Sequence, residues 1–233
     1  FFNNFENIYD ATGNYKGPGS TLEVGDHLVG IFNVQNIDSS GSTHWFSSPT
    51  EQLTGIFAQR VTSISEQPGA GGTGDPFDPA QTSFPHVTFG AATTAMFTKD
   101  GDSFDTGLGS DEMFAFYYQT GGGTTVFESD GTLLGDVTSA TDGTKLFSLG
   151  YSDAGSPADS PANASDDNGY AYSHPNLTQI TSNLTGVAFF GLETITNLTG
   201  FNFSPLDDAN ENELGPLIPV AGNQFVGTSE FEV

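Results

Sequence analysis

The chain has 233 residues, 29 of them acidic against four basic, for a net charge of −25. That balance excludes phosphate-backbone binding and disfavours anionic membrane surfaces, and the absence of cysteine removes disulfides, thiol catalysis and zinc–thiolate sites. The 21 Phe and 7 Tyr supply enough bulk for a real core, so disorder throughout is excluded, while the acidic surface repels itself unless salt or divalent cations screen it.

The first segment, FFNNFENIYD over residues 1–10, is an apolar strand at the start of a chain that opens without Met. It reads as the beginning of a mature product after leader removal. Such a strand can complete its own sheet or add to a neighbour's open edge. Phe1, Phe2, Phe5 and Ile8 are the candidate polymer contacts, and 1–10 is the candidate donor segment.

Residues 21–37, TLEVGDHLVGIFNVQNI, are rich in β-branched and aromatic residues and predict a strand with a kink at Gly25-Asp26. Residues 53–64, LTGIFAQRVTSI, repeat the Gly-Ile-Phe of that strand (Gly30-Ile31-Phe32, then Gly55-Ile56-Phe57), which predicts paired neighbours in one sheet. A Gly- and Pro-crowded loop at 66–85 precedes another strand region at 84–98. MFAFYY at 113–118 and VAFFGL at 187–192 are apolar on both faces and too short for typical helices, so they predict central strands of a sandwich. Helical signals are weak: one short helix over 129–140 and a turn or two over 207–214. Residues 152–168 form a second long loop, and Asp167-Asn168-Gly169 marks a tight turn into a strand at Tyr170.

Three acidic clusters have oxygen-bearing side chains at the spacing that wraps a hard cation, which takes about six to eight oxygens. They are Asp207, Asp208, Asn210, Asn212 and Glu213; Asp100, Asp102 and Asp105; and Asp166 and Asp167 beside Asn168. Ca2+ is the expected ion. The competing account is that Asp and Asn simply make turns through local hydrogen bonds. Asn163, Asn176, Asn183 and Asn197 match the N-glycosylation acceptor pattern.

No nucleophile elbow, HExxH or P-loop occurs, and the four histidines lack ligand spacing. No catalytic residue is nominated, and no enzymatic activity is expected. No stretch approaches about 18 consecutive apolar residues, so no membrane-spanning helix is expected. The architecture that follows is one domain over 1–233: an all-β, antiparallel, jelly-roll-like β-sandwich with long Gly/Pro/Asp-rich loops and one or two short helices. Its edge strands are thinly guarded, since Lys is nearly absent.

The runs FENIYD (5–10), VGDHLVGIF (24–32), QLTGIF (52–57) and DDANENE (207–213) together resemble bacterial PEP-CTERM proteins. That resemblance implies exosortase processing, an extracellular or cell-surface location, a matrix setting with exopolysaccharide as a partner, and no shared catalytic activity. The expectation is a secreted structural protein that self-assembles into a filament or biofilm-matrix layer. A terminal strand is donated to a neighbouring subunit, and calcium sits in acidic loops. A calcium-dependent, lectin-like carbohydrate-binding module is the alternative.

Overall fold

The computed structural model describes residues 2–39, 42–46, 48, 50–67, 84–121, 133–151, 169–173, 185–200, 202–203 and 225–232. Strands dominate them. In chain order they are β1 (Phe2–Tyr9), β2 (His27–Val34), β3 (Asn36–Ser39), β4 (Ser42–Phe46), β5 (Glu51–Gln67), β6 (Phe84–Ala91), β7 (Met96–Lys99), β8 (Asp102–Asp105) and β9 (Phe114–Thr120). After the helix α1 (Leu133–Thr141) come β10 (Thr144–Tyr151), β11 (Gly169–Ser173), β12 (Thr185–Asn197) and β13 (Phe225–Glu232). Every named pairing is antiparallel, and the fold is an all-β sandwich.

The repeated Gly-Ile-Phe explains how the sheet is seeded. β2 and β5 run antiparallel with Gly30 opposite Phe57, Ile31 opposite Ile56 and Phe32 opposite Gly55, so each Phe faces a glycine across the ladder. A Cβ built on Gly55 would stand 2.2 Å from Phe32 Cζ and 2.3 Å from the Ala115 carbonyl oxygen. The missing side chain is what lets the Phe32 ring lie there.

Two long strands turn this pairing into a closed frame. β5 pairs with β2 along one edge. Its other edge is shared, with Glu51–Phe57 bonding to β9 and Gln59–Gln67 to β6. β12 does the same at the far side, meeting β11 through Gly186–Phe189 and β10 through Leu192–Asn197, with β13 on its other edge. The ring β5–β9–β10–β12–β11–β6 returns to β5, and the two sheets meet at these long strands. Corners of this kind need a local bend. Thr62 in β5 and Ile195 in β12 are the extra residues of register shifts at those places.

Strand alternation sends side chains to two separate cores. Leu28, Phe32, Phe57, Val61, Val87, Phe89, Leu149 and Leu192 fill the sandwich interior. Val29, Ile31, Ile56, Ala58 and Ala115, on the opposite face of the same strands, pack under Phe97, Phe104, Val137 and Ala140 from the β7–β8 hairpin and α1. The apolar run at 113–118 is therefore buried on both sides, as its composition predicts. Each fully buried aliphatic or aromatic side chain contributes about 1.5–3 kcal/mol to the hydrophobic term.

Local polar bonds hold the outer layer in place. The last turn of a helix leaves carbonyls without partners. In α1, Thr54 Oγ1 donates to the Ala140 carbonyl at 2.8 Å, and Gln119 Nε2 donates to the Ser139 carbonyl and, at 2.8 Å, to Asp142 Oδ1. The helix predicted over 129–140 thus exists as Leu133–Thr141, fixed from below by two strands. The turn predicted over 207–214 lies outside the described residues. In the β7–β8 hairpin the Asp100-Gly101 pair has φ of 55° and 94°, the two positive values of a type I′ turn.

Candidate functional site

Two features stand out as candidate sites: the edges of the main sheet that no described residue pairs, and a cavity within the outer core. The nine-stranded sheet begins at β1, which pairs with β2, while β13 branches from it with β12 as partner. Among the described residues, the edges left unpaired include those of the first and last strands, each eight residues long. Neither FNNFENIY nor FVGTSEFE contains Lys, Arg or Pro; their charged residues are Glu6 in the first and Glu230 and Glu232 in the second.

The direction of the β1 edge can be read from the backbone. The Ile8 carbonyl accepts from Lys16 N at 3.0 Å, and Asp10 N donates to the Asn14 carbonyl at 2.7 Å, both on the side away from β2. Peptide groups alternate along a strand, so those of Asn4 and Glu6 point to the open edge. Residues 14–16 cover only its Tyr9 end.

The cavity, about 320 Å³, lies between the outer face of β1, β2 and β5, the β7–β8 hairpin and α1. Val29, Ile31, Ile56 and Phe104 form its apolar floor, and Asn7, Tyr9, Lys99, Asp100 and Asp136 supply polar groups. Lys99 Nζ donates to Asn7 Oδ1 at 3.1 Å and stands 4.5 Å from the centre of the Tyr15 ring. It forms no ion pair among the described residues, whereas Lys16 is paired with Glu23 and Asp26, and Lys145 with Glu112. Tyr9 is only 1% exposed, and its hydroxyl makes no hydrogen bond to another described residue. Burial, then the neighbouring Tyr15 and Asp100, push the Tyr9 phenol well above its ordinary range, so it stays a donor.

Sequence reasoning did not single out the buried cluster at Glu112. This carboxylate accepts from Ser148 Oγ, Thr196 Oγ1 (2.8 Å), Gly109 N (3.0 Å) and Lys145 Nζ (2.9 Å). Burial alone would raise its pKa. The bonds from Ser148, Gly109, Lys145 and Thr196 outweigh that and hold it at about 2. A fully satisfied carboxylate of this kind ties β10, β12 and the 109–112 turn together, and its partners leave it no role as a proton donor. His27 is likewise structural. It is fully buried, with Nδ1 3.2 Å from the Asp10 carbonyl, while Thr93 N donates to Nε2 at 3.3 Å. This fixes the neutral Nδ1–H tautomer.

The sequence-predicted residues fall in varied places. Phe1 lies outside the described residues. Phe2 and Phe5 sit in β1 opposite Val34 and Ile31, and Ile8 opposite Leu28, all within one chain. The Ile8 side chain is buried in the sandwich core, so β1 presents a neighbour with its outer backbone edge rather than with this side chain. Asp100 occupies the I′ turn and is exposed. Asp102 and Asp105 are three residues apart on an extended strand and so face opposite ways, and Asp105 Oδ1 accepts from Gly107 N at 2.8 Å. These three are not gathered around one point, and among the described residues no group of three His, Cys, Asp or Glu could hold a metal ion. Asp166, Asp167, Asp207, Asp208, Asn210, Asn212 and Glu213 lie outside the described residues, as do Asn163, Asn176 and Asn183. Asn197 ends β12, is exposed, and its Oδ1 accepts from Thr199 N at 3.0 Å and Thr199 Oγ1 at 2.7 Å. Among the described residues no helix is long and apolar enough to cross a membrane.

Compared with known proteins, the chain matches no family model, no curated protein and no solved structure.

Proposed function

We propose that this is a secreted extracellular structural protein that self-assembles into a filament or matrix layer through its terminal strands. The observation that carries this reading is that the first and last strands each have an edge unpaired among the described residues, and neither strand contains Lys, Arg or Pro. The β1 edge of one subunit and the β13 edge of the next are different surfaces. Their contact is heterologous, and such contacts propagate into open polymers unless the rotation closes a ring. A terminal strand added to a neighbour's sheet gains main-chain hydrogen bonds without losing those it has. The acidic chain also repels its copies, and in this reading calcium in the acidic loops offsets that repulsion. The resemblance to PEP-CTERM proteins supports the extracellular setting.

Glu6→Pro tests the contact without removing β1, because the lost N–H points to the open edge and not to β2. The expected result is a folded monomer with an unchanged melting curve and no fibres in negative-stain images. Fibres that persist in this variant would overturn the β1 contact. A melting curve and assembly yield indifferent to chelator would remove calcium from the reading.

A further inference from the structure

We propose that the cavity beneath the β7–β8 hairpin binds one neutral, hydroxyl-rich sugar ring, without a metal. Binding at this cavity is independent of self-assembly. The floor of Val29, Ile31, Ile56 and Phe104 offers an apolar surface, and 320 Å³ falls at the lower end of the range for small-molecule sites, about 300–1,000 Å³. That is room for one sugar ring rather than an extended chain.

The polar wall selects the chemistry. Among the described residues the Tyr9 hydroxyl makes no hydrogen bond and Lys99 makes no ion pair, in a chain where acids outnumber bases 29 to 4, and both line the cavity. The Tyr9 hydroxyl can donate one hydrogen bond and Lys99 Nζ, bonded to Asn7 Oδ1, keeps further N–H groups, so both can serve an incoming acceptor. The same lining also carries carboxylates. Asp100 accepts no hydrogen bond from a described residue, and Asp136 also lines the cavity. A ligand anion would meet both carboxylates and the field of the whole chain, and a ligand cation would meet Lys99. A hydroxyl accepts from the donors and donates to the carboxylates, so it suits both kinds of group. A pyranose ring carries several hydroxyls at its rim and C–H groups on its faces to cover the floor.

The test is ligand-detected saturation-transfer NMR on the full chain with methyl glycosides of glucose, galactose and mannose. It is repeated with Tyr9→Phe and Lys99→Met, each first checked for a wild-type melting curve. At least one glycoside should receive saturable transfer to its ring C–H protons, unaffected by chelator. Each substitution should weaken it by about five- to tenfold, the share of one hydrogen bond. Tyr9→Phe keeps the ring and removes only the hydroxyl, so a folded protein is retained for comparison. No transfer to any of the three glycosides at about 10 mM overturns the proposal. So does transfer that survives both substitutions unchanged, or transfer that chelator abolishes.

Discussion

The two faces of the β2–β5–β9 sheet are packed by different means. On the inner face, sheet meets sheet, and rings meet rings: Phe32 and Phe116 with centroids 4.9 Å apart, Phe57 and Phe114 at 5.8 Å, Phe116 and Phe147 at 4.4 Å. On the outer face the cover is a nine-residue helix and a hairpin with four residues per strand. Elements this short bury little apolar area, so directional bonds position them: Thr54 and Gln119 hold the helix, and Thr98 exchanges backbone bonds with Gly13 and Tyr15 to hold the hairpin. Large apolar interfaces close up against their neighbours. A small cover held at a few points leaves a gap, and the cavity is that gap.

The sharpest way to break this contrast is on the inner face. Gly55→Val places carbon atoms where the Phe32 ring and the Ala115 carbonyl already stand. A loss of at least about 3 kcal/mol is expected, read as a fall in the denaturant midpoint or as failure to fold. A variant as stable as the wild type would show that the inner face yields easily and that the contrast is wrong. On the outer face, Thr54→Val preserves shape and removes the bond to the Ala140 carbonyl. A loss of about 1–2 kcal/mol is expected, with proteolysis beginning at α1 while the sheet's amide protons stay protected. Global unfolding instead would make the cover part of the folding core.

The smallest effect is a pH dependence. Burial, with the nearby Arg60 charge, lowers the His27 pKa despite its bond to the Asp10 carbonyl and the charges of Asp26 and Asp10. The unfolded chain then binds the extra proton first, so stability falls as pH drops below about 6.5. Asp10 and Glu112 act in a lower window. Both are held at about 2, Asp10 chiefly by the Asn14 backbone N–H and Glu112 by the bonds that overcome its burial. Their contribution is complete above about pH 4 and is lost toward pH 2. Urea titrations of wild type and His27→Gln at pH 7.5 and 5 separate the windows. Equal losses in the two proteins would remove His27 from the account.

Much of the sandwich was legible in the sequence because its signals are local. Gly30-Ile31-Phe32 and Gly55-Ile56-Phe57 announce a pair, and the 113–118 run has the composition of a strand buried on both faces. The closure of the frame was not legible. That β5 divides its edge between β9 and β6 depends on register, which no short window encodes. The Glu112 cluster was invisible for the same reason, since Ser148 and Thr196 come from distant strands. The acidic pattern at 100–105 was legible as a turn or as an ion loop. The positive φ values at Asp100 and Gly101 show the turn.

The shared edges of β5 and β12 have a mechanical consequence. Tension applied through the outer strands β1 and β13 crosses β2 to enter the frame at β5 and leaves it at β12. Between β5 and β12 it divides over two routes in parallel, one through β9 and β10 and the other through β6 and β11. Rupture of either route transfers the load to the other, so the subunit resists extension as a closed link resists it, by both sides at once.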